Sequence, residues 1–147
     1  MTDSSVSILN QCVKTQLGRL AVLREYREQI NDPYIKSGLA FAIEDTQEAI
    51  ARVASRLRQF DHTLIDQNLD ETGEKLLRQA RTRRGTEDRL KFVRQGLKYQ
   101  LEWYSARVKE LRDDLDSQAI LVALAEQTRV RLERWETLMK DLKVPFD

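Results

Sequence analysis

The sequence predicts an all-α fold: a four-helix bundle of two antiparallel helical hairpins, joined by a long crossover between the second and third helices, in one domain spanning residues 1–147. Three observations predict it. Apolar residues recur every three or four positions through four long segments, the period of one helix face. Breakers are scarce, with 5 Gly and 2 Pro, while Leu, Ala, Arg, Glu and Gln abound. The turn signals are unevenly spaced, with two tight connections flanking one long irregular stretch. A chain of 147 residues is one ordinary domain and is long enough to bury a core.

The first helix is expected over residues 5–30. Val6, Leu9, Val13, Leu17, Leu20 and Leu23 form its stripe, and Ser4 or Ser5 is placed to cap its first turn. The segment "NDPY" stops it. Pro33 disfavours helical geometry at Asp32, while Asp32 is a good N-cap with Pro33 at the first helical position. The second helix follows over 33–60, with Ile35, Leu39, Ala42/Ile43, Thr46, Ala49/Ile50, Val53, Leu57 and Phe60 in line. Residues 61–85, "DHTLIDQNLDETGEKLLRQARTRRG", hold two Gly and several turn formers around short apolar pieces. That is enough chain to retrace a helix, so this stretch is read as a crossover with some helix of its own. The third helix is expected over 86–115, opening with Thr86 and Arg89 in place of an ideal capping box. Leu90, Val93, Leu97, Leu101, Tyr104, Val108, Leu111 and Leu115 make the cleanest seam in the chain. "RDDLDSQ" ends it, and Asp116 or Ser117 caps the fourth helix over 118–142, whose stripe runs through Leu121, Leu124, Thr128, Arg131/Leu132, Trp135, Leu138/Met139 and Leu142.

Composition narrows the function. Charged residues make up 33% of the chain, but 25 basic side chains against 24 acidic ones leave a formal charge of +1. No global field draws the protein to nucleic acid or to a membrane surface. Cys12 is the only cysteine, which excludes an intrachain disulfide and a thiolate metal site within one chain. It lies beside the first stripe and reads as a small core residue. No apolar run approaches the ~20 residues of a membrane span. The N-terminus "MTDSSVSILNQ" has no basic n-region and no continuous apolar stretch, so a cytoplasmic location is expected. There is no Gly-rich phosphate loop and no clustered Ser/His/Asp arrangement.

Four stretches carry a family resemblance. Residues 18–26, "GRLAVLREY", and 96–104, "GLKYQLEWY", each set a Gly and a Tyr eight apart and suggest an internal repeat of two hairpins. "FAIEDTQEAIARV", residues 41–53, and "LAEQTRVRL", residues 124–132, carry acidic residues on helical stripes. Together with the topology, these resemble the rubrerythrin branch of the ferritin-like superfamily. The resemblance implies a ferritin-like four-helix bundle in which each hairpin supplies a Glu and a Glu-x-x-His pair to a di-metal site. Matched residue by residue, the two Gly-Glu positions read Gly18-Arg19 and Gly96-Leu97. The second-helix pair falls on Glu44 and Gln47, or on Asp45 and Glu48. The fourth-helix pair reads Glu126 and Arg129. No histidine occupies a ligand position, and His62, the only one, lies at the end of the second helix or beyond it.

The chemistry agrees with that count. Ile43, Thr46 and Ile50 hold the core side of the second helix and turn Glu44 and Glu48 aside, where they read as solvated or salt-bridged carboxylates. Arg19, Arg129 and Arg131 would place positive charge near any metal. A divergent di-iron or di-manganese site would have to use Glu44, Glu48, Glu102 and Glu126. The leading expectation is instead a polar layer. Gln16, Thr46, Gln47, Gln127, Thr128 and Arg131 interrupt or border the stripes near one axial level, and buried polar groups must be paired. Hydrogen bonds or an Arg–carboxylate pair, Arg131 with Glu44 or Glu102, are expected there.

Two surface features remain. Phe92, Gly96, Tyr99 and Trp103 form a second face on the third helix. Either the crossover covers it through Leu64, Ile65, Leu69 or Leu76, or Phe92, Tyr99 and Trp103 form a subunit or partner interface. The run "RQARTRRG" brings Arg78, Arg81, Arg83 and Arg84 together as a candidate anion-binding patch. Acidic neighbours on both sides make a salt-bridged surface the plainer reading, and nucleic acid an unlikely partner. The sequence therefore reads as a non-catalytic helical scaffold or interaction protein that self-associates as a dimer and holds no cofactor. The alternative is a divergent di-metal oxidoreductase or iron-binding protein, with a phosphate or nucleic-acid binder through residues 78–98 behind it.

Overall fold

The computed structural model describes residues 3–60 and 68–146, with the side chain of Asp3 left out. His62, Leu64 and Ile65, singled out in the sequence, lie outside the described residues. Five helices and no strand occur among the described residues: α1 (Asp3–Gln29), α2 (Pro33–Gln59), α3 (Glu71–Arg81), α4 (Thr86–Glu110) and α5 (Leu115–Asp141).

The caps show which local signals win. Asp32 caps α2 by accepting from the backbone amides of Tyr34 (2.9 Å) and Ile35 (3.1 Å), with Pro33 opening the helix. Asp70 caps α3 by accepting from the Gly73 amide at 2.7 Å. Gly85, at φ 84, precedes α4 without a side-chain cap. The left-handed region suits glycine, so Gly85 sets the chain's entry where a Thr86 cap was expected. The helix α5 begins three residues earlier than the spacing predicts. Its cap is Asp114, not Asp116 or Ser117. The Asp114 carboxylate takes the Ser117 amide, the Ser117 hydroxyl at 2.6 Å and the Arg56 guanidinium at 2.9 Å. Leu115, expected to end the third-helix seam, therefore opens α5 and is exposed. Ser5, expected as a cap of the first helix, lies inside α1 and bonds the same Asp114.

The helix α1 packs against α2, α3 and α4, and α5 packs against α2 and α4. Contacts along α2 and α5 run in opposite order, from Tyr34–Asp141 through Asp45–Arg131 to Arg56–Asp114, so these helices are antiparallel. The same holds for α1 and α4, where Tyr26 meets Phe92 and Gln16 meets Tyr104. The stretch expected as a crossover contributes α3, which lies along the C-terminal half of α1. Gly18 and Gly73 bring the two backbones together: a Cβ on Gly18 would sit 3.0 Å from the Gly73 Cα. Tyr26, fully buried, donates to the Ala80 carbonyl at 2.7 Å and fastens the far end of α3.

The core divides into two apolar clusters. One surrounds Tyr26, Leu39, Leu90, Trp135 and Met139 toward the α1–α2 turn. The other surrounds Leu9, Val13, Leu57, Leu111 and Leu121 toward the α4–α5 turn. No helix among the described residues is long and apolar enough to cross a membrane.

Candidate functional site

Between the two clusters lies a polar layer supplied by α1, α2, α4 and α5, three of which contribute residues about one turn apart. The spacing puts Gln16 and Arg19 on one face of α1, Gln100 and Tyr104 on one face of α4, and Thr128 and Arg131 on one face of α5. Asp45 and Thr46 come from α2. These side chains line a partly open cavity of about 50 Å³. A water needs roughly 10–15 Å³ of such space, so the cavity has room for a few waters or one small ion.

Tyr104 is the centre of the layer. Its hydroxyl accepts from Gln16 Nε2 at 2.5 Å, from Gln100 Nε2 at 3.4 Å and from Cys12 Sγ at 3.8 Å. Burial pushes the Tyr104 phenol well above its ordinary range. Burial likewise pushes the Cys12 thiol up to about 12, against the hydrogen bond with Tyr104, so it stays a neutral thiol at pH 7. Thr46 and Thr128 face each other's helices yet turn their hydroxyls back, each donating to the carbonyl four residues earlier at 2.7 Å.

Two arginines share the layer and differ in one respect. Arg131 is paired with Asp45, where the sequence reading expected Glu44 or Glu102. Burial lowers Arg131 to about 10, with Arg134 adding to the fall. It remains charged at neutral pH, and the Asp45 carboxylate answers that charge. Arg19 has no such answer. Burial lowers it to about 10 against the opposing influence of Tyr104 and Tyr99, so it too is a cation at pH 7. Its Nε is buried with no hydrogen-bond partner, and no carboxylate among the described residues pairs with it. Gly96 makes room for it: a Cβ there would lie 2.3 Å from Arg19 Nη1.

The structure thus brings Gln16, Thr46, Gln127, Thr128 and Arg131 to one level, and adds Arg19, Asp45, Gln100 and Tyr104. Gln47, expected in this layer, is exposed. The structure does not bring Glu44, Glu48, Glu102 and Glu126 together. All four are exposed, and Glu126 and Glu133 both hold Arg129 on the surface of α5. Among the described residues there is no group of three or more His, Cys, Asp or Glu side chains placed to hold a metal ion.

A second concavity lies outside the layer. It is a cleft of about 710 Å³ between α3 and α4, floored by α1. The aromatic face of α4 lines it, but unevenly. Phe92 packs edge-on against Tyr26 with the Arg83 guanidinium 4.8 Å above its ring. Trp103 packs edge-on against Tyr104 with Arg107 over it at 5.3 Å. Tyr99 stands 64% exposed. Of the crossover residues named for covering this face, Leu76 lines the cleft, while α3 packs mainly on α1. In the basic run Arg78, Arg81, Arg83 and Arg84 are all exposed; Arg81 pairs with Glu25 at 2.9 Å, and Arg83 rests on Phe92.

Sequence reasoning missed Arg19, Gln100 and Tyr104 as members of one polar group. By spacing alone Tyr104 belongs to the apolar seam of the third helix, and Arg19 stands at a ligand position of the family resemblance. The usable signal was the i, i+4 spacing of Gln100 and Tyr104, set against the i, i+3 spacing of Gln16 and Arg19. Comparisons with protein-family models, with curated proteins and with solved structures find no match to this chain.

Proposed function

We propose that the protein is a non-catalytic helical scaffold or interaction protein with a ferritin-like arrangement, in which a cation-bearing hydrogen-bonded layer takes the axial level of a di-metal centre. The observation that supports this reading is the layer itself. Two guanidiniums, one carboxylate and neutral amides line the cavity where converging carboxylates would be required. The antiparallel pairing of α1 with α4 and of α2 with α5, with α3 inside the connection between the hairpins, supports the ferritin-like assignment.

The same reading includes self-association through the α2–α5 face. Phe41 is 64% exposed there. Beside Phe41 runs a groove of about 590 Å³, lined in part by the small residues Gly38, Ala42 and Ala123. A two-fold pairing needs one surface that offers both a knob and a hole, and this face offers both. Light scattering of the full chain tests it. The wild type is expected at twice the chain mass, and Phe41→Glu at the chain mass with an unchanged helical circular-dichroism signal. A wild type that stays monomeric at the highest soluble concentration contradicts self-association.

A further inference from the structure

Arg19 sits where the cavity of the polar layer and the outer cleft meet. It lines both, together with Gln16 and Gln100. Arg19 is half-buried, with its Nε shut off from water and unbonded and no carboxylate of the described residues paired with it, which costs folding free energy because desolvation is not offset by pairing. The other arginine with a buried, unbonded Nε, Arg89, has the Tyr26 ring 6.0 Å from its guanidinium. Arg19 has no aromatic face beneath it. An unsatisfied cation at the floor of a ligand-sized cleft is the arrangement an anion would complete.

The surroundings specify the anion. One unpaired charge in the interior calls for one negative charge. Arg131 is already neutralised by Asp45, and of the exposed or half-exposed cations that also line the cleft, Lys91 pairs with Glu87, Arg83 rests on Phe92, and Lys75 shares the lining with the Asp88 carboxylate. A dianion such as phosphate would therefore carry an uncompensated charge into the interior, whereas a carboxylate would not. Carboxylate also matches the planar fork of a guanidinium, and the side-chain amides of Gln16 and Gln100 lie alongside. Beyond the anion, the cleft turns apolar. From Gly96, Tyr99 and Trp103 extend along α4 for two turns, about 10 Å. We propose that the α3–α4 cleft is a binding site for a small amphipathic monocarboxylate, its head on Arg19 and its apolar body along Tyr99 and Trp103.

The assignment is independent of self-association, since Phe41 lines the α2–α5 groove and not this cleft. It is tested on the full chain with octanoate, octanamide and inorganic phosphate as probes. The readouts are Trp103 emission in a Trp135→Phe background and the thermal midpoint. Octanoate is expected to shift the emission saturably and raise the midpoint. Octanamide, lacking the charge, is expected to bind about tenfold more weakly or worse, as is octanoate to Arg19→Gln. Lys75→Gln, at an exposed residue of the lining, should change octanoate binding less than about threefold. If Arg19→Gln does not fold, Gly96→Ala carries the test, because its Cβ displaces the guanidinium and should weaken octanoate by a similar factor. Three results would overturn the proposal: no saturable change with octanoate, equal binding of octanoate and octanamide, or phosphate binding more tightly than octanoate.

Discussion

Asp114 does three jobs with one carboxylate: it caps α5, it anchors Arg56 from α2, and it bonds Ser5 from α1. Burial alone would raise its pKa. The hydrogen bonds from Ser117, Ser5 and Arg56 outweigh that and hold it down at about 2. The folded state therefore releases this proton more readily than the unfolded chain does. The stability it contributes is complete above the ordinary carboxylate pKa of ~3.9 and is lost as pH falls through about 2. Asp114→Asn keeps an oxygen for the cap but removes the charge. In urea unfolding it should cost ~2 kcal/mol at pH 7, and the gap to wild type should close as pH approaches 2. A gap independent of pH would show that the charge is not what matters. At this scale the sequence was least informative. That Asp114 outcompetes Asp116, or that Arg131 meets Asp45 and not Glu44, depends on which partner another helix presents. Neighbours in sequence do not carry that information.

Helices were legible for a plain reason. Leu9, Val13, Leu17 and Leu20 recur at the helical period, and the same period buries all four. Asp32 and Pro33 carried their turn in two residues, and the structure uses both as expected. The helix α3 was harder. It has 11 residues, and its polar face is longer than its apolar one, so composition suggested only partial helix between turns. What holds it is the Gly18–Gly73 approach, a tertiary contact that no local pattern states. Backbone lies on both sides of that contact, so it cannot yield to an added side chain as a flexible tip would. Gly18→Val should cost ~1–3 kcal/mol. It should also speed amide hydrogen exchange in α3 well beyond that in α2 and α5. Uniform loss of protection across the bundle would mean that α3 is not fastened through this pair. The 18–26 and 96–104 stretches gain a meaning here. Each Gly admits a foreign group, the α3 backbone at Gly18 and the Arg19 guanidinium at Gly96, and each Tyr is buried and hydrogen-bonded.

At the scale of the molecule, two apolar clusters are joined across a polar waist. Gln16, Gln100, Tyr104, Thr46 and Thr128 satisfy one another or their own backbones, and Asp45 satisfies Arg131. Such a layer fixes the register of four helices, since sliding any one by a turn would bury unpaired amides or charge. The waist was half legible. Polar residues interrupting apolar stripes at one level pointed to it, and Gln16, Thr46, Thr128 and Arg131 do lie there. Its charge balance was not legible, because Gln47 faces solvent and Arg19 faces inward on residues that sequence alone places equally near the boundary. The central claim is that this waist holds cations where a ferritin-like site would hold metal. Metal content after ferrous-iron loading of protein purified without chelator tests it most directly. The account predicts no bound iron above the level of a protein blank, whereas about two irons per chain would contradict it.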